Sequence, residues 1–162
     1  MPILVSDTSV IIDMERGDFL DDLFKLPMEF AVPDLLFARE LAGDLGTRLV
    51  QLGLRVEELD SRELKRATEV IRNHRQLSTA DTFAFALAES RGWTLLSGDG
   101  GLRSLAGANN VPVHGVLWLC DQLEGNQTPL ERLHAGLTAI SSHPRCRLPA
   151  EEIEIRLARY TD

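Results

Sequence analysis

The sequence predicts an α/β protein whose parallel β-sheet is covered by helices on both faces. Short apolar runs with strand character alternate with helical patterns from residue 3 through Val113. This alternation is typical of parallel sheets, because each strand-to-strand crossover places a helix on one face. A second observation is the stretch 77–103, where a helix that is apolar nearly all round precedes a short apolar strand. Such a helix is buried, and such a strand lies inside a sheet.

Length and composition fit one globular domain. The 162 residues are long enough to bury a full core, and 44% hydrophobic with 26% charged residues is an ordinary balance. The apolar start is too short for a signal peptide, and no run is long enough to cross a membrane. Cys120 and Cys146 form no CxxC pattern, which favours a reducing compartment without structural zinc. We therefore expect a cytoplasmic protein without a membrane association.

The first half of the chain predicts two strands and three helices. The apolar runs at 3–6 and 29–33 are short and bounded by polar residues, which indicates buried strands. Gly17 ends the helical pattern between them, and Asp18 is expected to cap the helix that follows. In order, we expect a strand at 3–6, a helix at 10–16, a short helix with Leu20, Leu23, Phe24 and Leu26 facing the core, a strand at 29–33, and a helix capped by Asp34 that continues through Leu52.

The second half contains clear helix starts. Residues 54–59 partly alternate, which favours a strand near the sheet edge. Asp60 followed by Glu63 is a capping-box pattern, and Thr128 before Pro129 marks another helix start. We expect strands at 54–59 and 93–96 and an edge strand at 111–113. The first expected helix runs from Asp60 to about Gln76, with Leu64, Ala67 and Ile71 facing the core, and a buried helix capped by Ser78 follows it. Further helices are expected after Gly100, at 116–123, from Thr128 and from about Ala150.

Four acidic residues stand at element ends or on the inner part of predicted helices. Asp7 and Asp99 follow predicted strands, Asp81 lies in the first turn of the buried helix, and Glu40 follows the second strand by about two helical turns. Ligands of open α/β sheets lie beyond the carboxyl ends of the strands. If Asp81 folds back beside Asp99, two carboxylates share one site, and a bound cation is the usual reason for such a pair.

Each of these acids also has a purely structural interpretation. Asp7 and Asp99 suit turns and helix N-termini. Asp81 stands three residues after Ser78 and could serve only as part of a helix cap, and Glu40 could be a solvated helix residue. The net charge of −8 argues against a protein that coats nucleic acid, yet it is compatible with an enzyme whose acids are concentrated at a metal site.

Four segments of the chain resemble, in order, the motifs of PIN-domain nucleases: VSDTSVIID, ARELAG, STADTFAFALA and LLSGDGGLR. The likeness is greatest to toxin ribonucleases of the VapC type and related prokaryotic PIN proteins, and it covers about residues 3–120. The resemblance implies one PIN-like domain over 1–162, with a three-layer α/β/α fold around a central parallel sheet of about five strands. Residues 121–162 would then form an extension of extra C-terminal helices.

The resemblance also implies a catalytic site and an activity. It makes Asp7, Glu40, Asp81 and Asp99 the catalytic acids, with Mg²⁺ or Mn²⁺ held by Asp7, Asp81 and Asp99. Hard carboxylate oxygens favour these ions over zinc, and such ions activate water and stabilise charge on a phosphate. The implied activity is hydrolysis of phosphodiester bonds in single-stranded RNA. Whether one or two ions bind stays open, because Gly100 follows Asp99 where many relatives have a longer polar residue or a further acid.

Two further residues are candidates for contact with RNA. Ser97 matches the small hydroxyl residue that precedes the last acid of the family pattern, and Arg103 could position a phosphate or be a solvated helix residue. The four histidines are scattered, and each is expected to be a surface or turn residue. The helix after Asp60 has a basic outer face that could steer RNA or could simply be solvated: Arg62, Lys65, Arg66, Arg72 and Arg75.

The likeness to toxin ribonucleases implies a cognate antitoxin as partner and a homodimer as assembly. A haloacid-dehalogenase-like phosphatase is disfavoured, because Ser9 stands where its second aspartate is needed. A response-regulator receiver is disfavoured, because no lysine follows Lys65. The alternative that stays open is a catalytically silent PIN-like module that binds only protein partners.

Overall fold

The structure, a computed structural model, describes residues 1–161. Its centre is a five-stranded sheet in which all neighbouring strands are parallel. The strands are β1 (Ile3–Ser6), β2 (Glu29–Pro33), β3 (Arg55–Glu57), β4 (Thr94–Leu96) and β5 (Val113–His114). They lie in the order β3-β2-β1-β4-β5, so β1 is central. The predicted α/β class and the five-stranded parallel sheet are confirmed.

Helices cover both faces of this sheet. Adjacent residues of β1 lie on opposite faces of the sheet, since Leu4 packs into the core on one face and Val5 into the core on the other. The helices are α1 (Thr8–Arg16), α2 (Leu20–Leu23), α3 (Asp34–Leu36), α4 (Asp44–Leu52), α5 (Ser61–Asn73), α6 (Thr79–Arg91), α7 (Gly100–Ala108), α8 (Val116–Gly125), α9 (Leu130–Ser141) and α10 (Ala150–Tyr160), with a π-helical turn at Phe37–Leu41. Helices α5, α6 and α7 cover one face, and α1, α2, α8, α9 and α10 contribute to the core on the other.

The C-terminal helices pack into the same core as α1. Gly136 of α9 lies so close to the buried Phe19 ring that a Cβ at this position would clash with the ring. Arg156 of α10 donates hydrogen bonds to both carboxylate oxygens of Asp121 on α8, each 2.8 Å long. These contacts fix the position of the segment that joins α9 to α10.

Three predictions for the first half of the chain are wrong in detail. Asp34 is not the cap of α3, because it is the first residue of that helix and follows the N-cap Pro33. Asp18 adopts a left-handed backbone with φ 58°, and it does not cap α2, which begins after Phe19. The helix expected to run on through Leu52 is interrupted, because Gly43 has φ 109° and separates the π-helical turn from α4. Glycine adopts such a φ without steric cost, so the chain changes direction there.

Two helix predictions in the second half also need correction. The capping box of α5 is confirmed, but its buried side differs from the expected stripe: Leu64 is 43% exposed, whereas Glu63 is 1% exposed and bound by Arg91. The pairing with a guanidinium makes burial of the carboxylate tolerable. Thr128 forms no side-chain cap on α9, which begins after Pro129.

None of the helices within residues 1–161 combines the length and apolar content needed to cross a bilayer. Cys120 is buried and Cys146 is partly buried, and both are free thiols.

Candidate active site

The carboxyl ends of the two central strands bring Asp7 and Asp99 to one side of the sheet. β1 and β4 are neighbours, with Ser6 paired to Leu96, and the Asp7 amide donates a 2.9 Å hydrogen bond to the Leu96 carbonyl. Helix α6 packs on both strands and places Asp81 in its first turn. The parallel arrangement of the strands is therefore what gathers three of the predicted acids.

Asp7 is a buried carboxylate with a strongly shifted pKa. Its side chain is 2% exposed, and Oδ1 accepts a 2.9 Å hydrogen bond from the Val10 amide at the start of α1. The pKa of Asp7 is raised from 3.8 to about 6: burial raises it most, hydrogen bonds from Ser97 and Val10 lower it, and the charges of Asp81 and Asp99 add to the increase. A cation nearby would lower this pKa, because an opposite charge favours the ionised carboxylate.

Asp99 is an exposed carboxylate that caps a helix with one oxygen. Its Oδ2 accepts a 2.8 Å hydrogen bond from the Leu102 amide at the start of α7. The capping interpretation is therefore correct for both Asp7 and Asp99, but it does not replace the site interpretation. Capping holds each carboxylate at the positive end of a helix, where an anion is favoured, and the charge of Asp99 helps to raise the pKa values of Asp7 and Asp81.

Asp81 belongs to the acid group and is not the cap of α6. Ser78 is the N-cap, and its hydroxyl oxygen accepts a 3.0 Å hydrogen bond from the Asp81 amide. Burial raises the pKa of Asp81, a hydrogen bond with Ser78 lowers it, and the charges of Asp99 and Glu40 raise it again. Asp81 therefore links the predicted acids, since the charges of Asp99 and Glu40 act on it and its own charge acts on Asp7.

Glu40 joins the group from the π-helical turn after β2. Its side chain is exposed, and its Oε2 accepts a hydrogen bond from the hydroxyl of Thr8, the residue that follows Asp7. Thr8 is absent from the residues predicted for the site, although a hydroxyl directly after a strand-end aspartate is visible in the sequence. A π-helical turn within a helix is frequent at functional sites, because it reorients one side chain.

Ser97 and Arg103 lie beside the acids in different environments. Ser97 is fully buried, and its hydroxyl oxygen accepts a 3.0 Å hydrogen bond from the Asp99 amide. The same hydroxyl forms a hydrogen bond with the Asp7 side chain, which lowers the pKa of Asp7. Ser97 therefore contacts two of the predicted acids. Arg103 is exposed and donates a 2.9 Å hydrogen bond from Nη1 to the Ser97 carbonyl. Binding of RNA by these two residues stays a prediction.

A wide groove opens beside Asp99, and we name it the arginine groove after its four arginines, Arg16, Arg103, Arg145 and Arg147. Helix α1 forms one wall, the β5–α8 connection another, and residues 145–149 a third. His114 and Trp118 also line it, with their rings stacked 4.1 Å apart at an angle of 5°. Burial and the charge of Arg103 lower the pKa of His114. Beyond the His-x-x-x-Trp spacing, no pattern in the sequence indicates this groove.

The carboxylate oxygens of the four acids are ligands that suit a hard divalent cation, although their present positions do not form a ready binding site. Within residues 1–161, no three His, Cys, Asp or Glu side chains form a group ready to hold a metal ion. The charges of neighbouring acids nevertheless help to raise the pKa values of Asp7 and Asp81, and a cation would relieve that repulsion. Four carboxylates without a histidine or cysteine suit Mg²⁺ or Mn²⁺. A change of side-chain rotamer would be needed to bring their oxygens onto one ion.

A comparison with protein families supports the same interpretation. The sequence model of a family described as a PIN domain matches residues 3–161. The match includes the C-terminal helices, which lie beyond the four motifs that carry the resemblance. No curated protein matches the chain.

Proposed function

The chain belongs to the PIN-domain family, and on this premise we propose that it is a metal-dependent ribonuclease that hydrolyses phosphodiester bonds of single-stranded RNA. PIN domains are in general nucleases, so the coarse function follows from the family. The observation that carries the finer proposal is that the paired ends of β1 and β4 and the start of α6 bring Asp7, Asp99 and Asp81 together, and that the arginine groove opens at Asp99.

Each acid has a role that follows from its surroundings. Asp7, Asp81 and Asp99 would hold Mg²⁺ or Mn²⁺, which when bound lowers the pKa of water and stabilises charge on the phosphate. One oxygen of Asp7 and one of Asp99 are oriented by amides at the starts of α1 and α7, before any ion binds. Exposed Glu40, oriented by Thr8, can accept a proton from the attacking water.

Cleavage should require both the metal and the acids. We expect a fluorescently labelled single-stranded RNA to be cut with added Mg²⁺ or Mn²⁺ and to stay intact after exhaustive chelation. Glu40→Gln and Asp81→Asn should abolish cleavage, whereas Glu131→Gln, an exposed acid in the first turn of α9, should not. Equal activity in all of these preparations would indicate a contaminating nuclease. Intact RNA in every condition would favour the catalytically silent module that binds protein partners.

We also propose that the protein is the toxin of a toxin–antitoxin pair and acts in the cytoplasm as a homodimer. The support is the likeness of its four motifs to toxin ribonucleases of the VapC type. Growth arrest on expression, reversed by a small DNA-binding protein encoded next to it, would support this role. Light scattering that shows a monomer at all concentrations would contradict the homodimer.

A further inference from the structure

We propose that the arginine groove is the path of the RNA strand, in which Arg145 and Arg147 contact phosphates and the His114–Trp118 stack receives a base. This inference rests on the proposed function, because it says where the RNA cleaved at the acid site would bind. Four observations carry it: the free charges in the groove, its opening at Asp99, the aromatic stack, and the unsuitability of the other basic face.

The groove carries cations that no carboxylate neutralises. Arg145 and Arg147 are exposed, and no Asp or Glu of residues 1–161 lies within ion-pair distance of either side chain. Arg16 differs, since it is paired with Asp13 at 2.9 Å. In a chain of net charge −8, unpaired cations on one groove that also opens at an acidic site suit a polyanion.

The backbone of His114 is hydrogen-bonded to the connection between β4 and α7 that carries Asp99. The His114 carbonyl accepts a 3.0 Å hydrogen bond from the Ser97 amide, two residues before Asp99. Trp118 lies one helical turn later, at the start of α8, and both side chains are half-buried. A stacked pair of this kind offers a preformed flat face, and single-stranded nucleic acids bind such faces with unstacked bases.

The basic face of α5, expected from the sequence to steer RNA, is less suitable. Arg66 is held by both carboxylate oxygens of Glu89 and by the Asn109 side chain. Arg62 adjoins Glu63, which binds Arg91 at the end of α6 opposite to Asp81. Ten residues of helix at 1.5 Å each separate Arg91 from Asp81, or roughly 15 Å. The part of that face around Arg62 and Arg66 is therefore far from the acids, whereas the arginine groove starts at Asp99.

The charge test compares two double variants with the same change of net charge. Binding of a short fluorescein-labelled single-stranded RNA is followed by anisotropy in EDTA, so that cleavage plays no part. We expect Arg145→Glu with Arg147→Glu to weaken binding about tenfold or more, and to reduce the salt slope by about 0.7 for each phosphate that is no longer neutralised. Arg62→Glu with Lys65→Glu on α5 should change binding less than about twofold, since both residues lie outside the groove. Equal losses of affinity in the two variants would overturn the proposal.

The stacking test uses the emission of Trp118. In a Trp93→Phe background, Trp118 is the one tryptophan left, because the chain has two. RNA should quench its emission, Trp118→Ala should weaken binding about tenfold, and Trp118→Phe should recover most of the affinity. Quenching is measured on a protein with an intact groove, so it remains informative if Trp118→Ala does not fold. Unchanged emission at saturating RNA would contradict the stacking of a base.

The proposed function and this inference fail in different ways. If RNA binds in the groove but is not cut with Mg²⁺ or Mn²⁺, the proposed ribonuclease activity is refuted, and the proposed RNA-binding role of the groove is not. If the Arg145→Glu, Arg147→Glu variant cuts RNA with an unchanged KM, the proposed RNA-binding role of the groove is refuted, and the proposed ribonuclease activity is not.

Discussion

The Thr8 hydroxyl donates a hydrogen bond to the Glu40 carboxylate, joining two residues that are 32 positions apart in the chain. Thr8 begins α1 directly after the end of β1, and Glu40 lies in the π-helical turn that follows α3, which begins directly after β2. The bond thus fixes an exposed acid in relation to the buried Asp7. Neither residue could be paired with the other from the sequence, because the π-helical turn decides where the Glu40 side chain points.

Removing the Thr8 hydroxyl should reduce RNA cleavage strongly and the stability of the fold only slightly. We expect Thr8→Val to lower cleavage about 10- to 100-fold, the usual effect of removing a residue that orients a functional carboxylate. Stability should change by about 1 kcal/mol or less, since the bond is exposed. Thr8→Ser keeps a hydroxyl and should retain most activity. Cleavage by Thr8→Val at the wild-type rate would show that Glu40 needs no such support.

The buried Asp7 should make the metal-free protein less stable as the pH rises. Its folded-state pKa of about 6 lies above the ordinary 3.8, so the folded protein binds more protons than the unfolded chain between these values. Stability from this group is therefore highest below pH 4 and falls through pH 6, by about 3 kcal/mol in total.

Urea unfolding in EDTA across this pH range would measure the effect. Asp7→Asn should lose this component of the pH dependence and be more stable than wild type at pH 7, because an asparagine can still cap α1. Added Mg²⁺ should stabilise wild type and not the variant. A difference between the two proteins that does not change with pH would contradict the raised pKa.

Asp81 and Ser78 can be separated by their effects on stability and metal response. Asp81→Asn should leave the metal-free protein as stable or more stable at neutral pH, because repulsion from Asp99 and Glu40 is relieved. Its stabilisation by Mg²⁺ should shrink, and cleavage should be abolished. Ser78→Ala should instead cost about 1 kcal/mol through removal of the cap. An Asp81→Asn protein with full cleavage and a full Mg²⁺ shift would exclude Asp81 from the site.

Arg91 should be important for stability and not for the site. It donates to the buried Glu63 and to Glu57 at the end of α6 that is remote from Asp81. Arg91→Ala leaves the Glu63 carboxylate buried without a cation and should cost about 2 to 3 kcal/mol of unfolding free energy. Arg72→Ala on the exposed part of α5 is the matched control and should be nearly neutral. A similar small decrease in both variants would show that Glu63 is solvated in solution.

The three strand-end and helix-start acids were predictable because their positions follow from local patterns. A parallel sheet brings the carboxyl ends of its strands to one edge, so Asp7 and Asp99 were expected at the same edge, and the neighbouring positions of β1 and β4 bring them together. Asp81 followed from the placement of a buried helix against the same strands. The expected buried face of α5 was wrong, because apolar spacing does not show that Arg91 compensates the burial of Glu63.

The sequence by itself determined the alternation of strands and helices, the parallel sheet and the group of acids, since these depend on hydrophobic period and on residues at element ends. Only the tertiary structure decided the Thr8–Glu40 bond, the His114–Trp118 stack and the position of residues 145–149. These depend on side-chain direction and on helices far apart in the chain, such as α8 and α10, held together by Asp121 and Arg156. Such contacts form through packing of distant elements, and packing leaves no periodic trace in a single sequence.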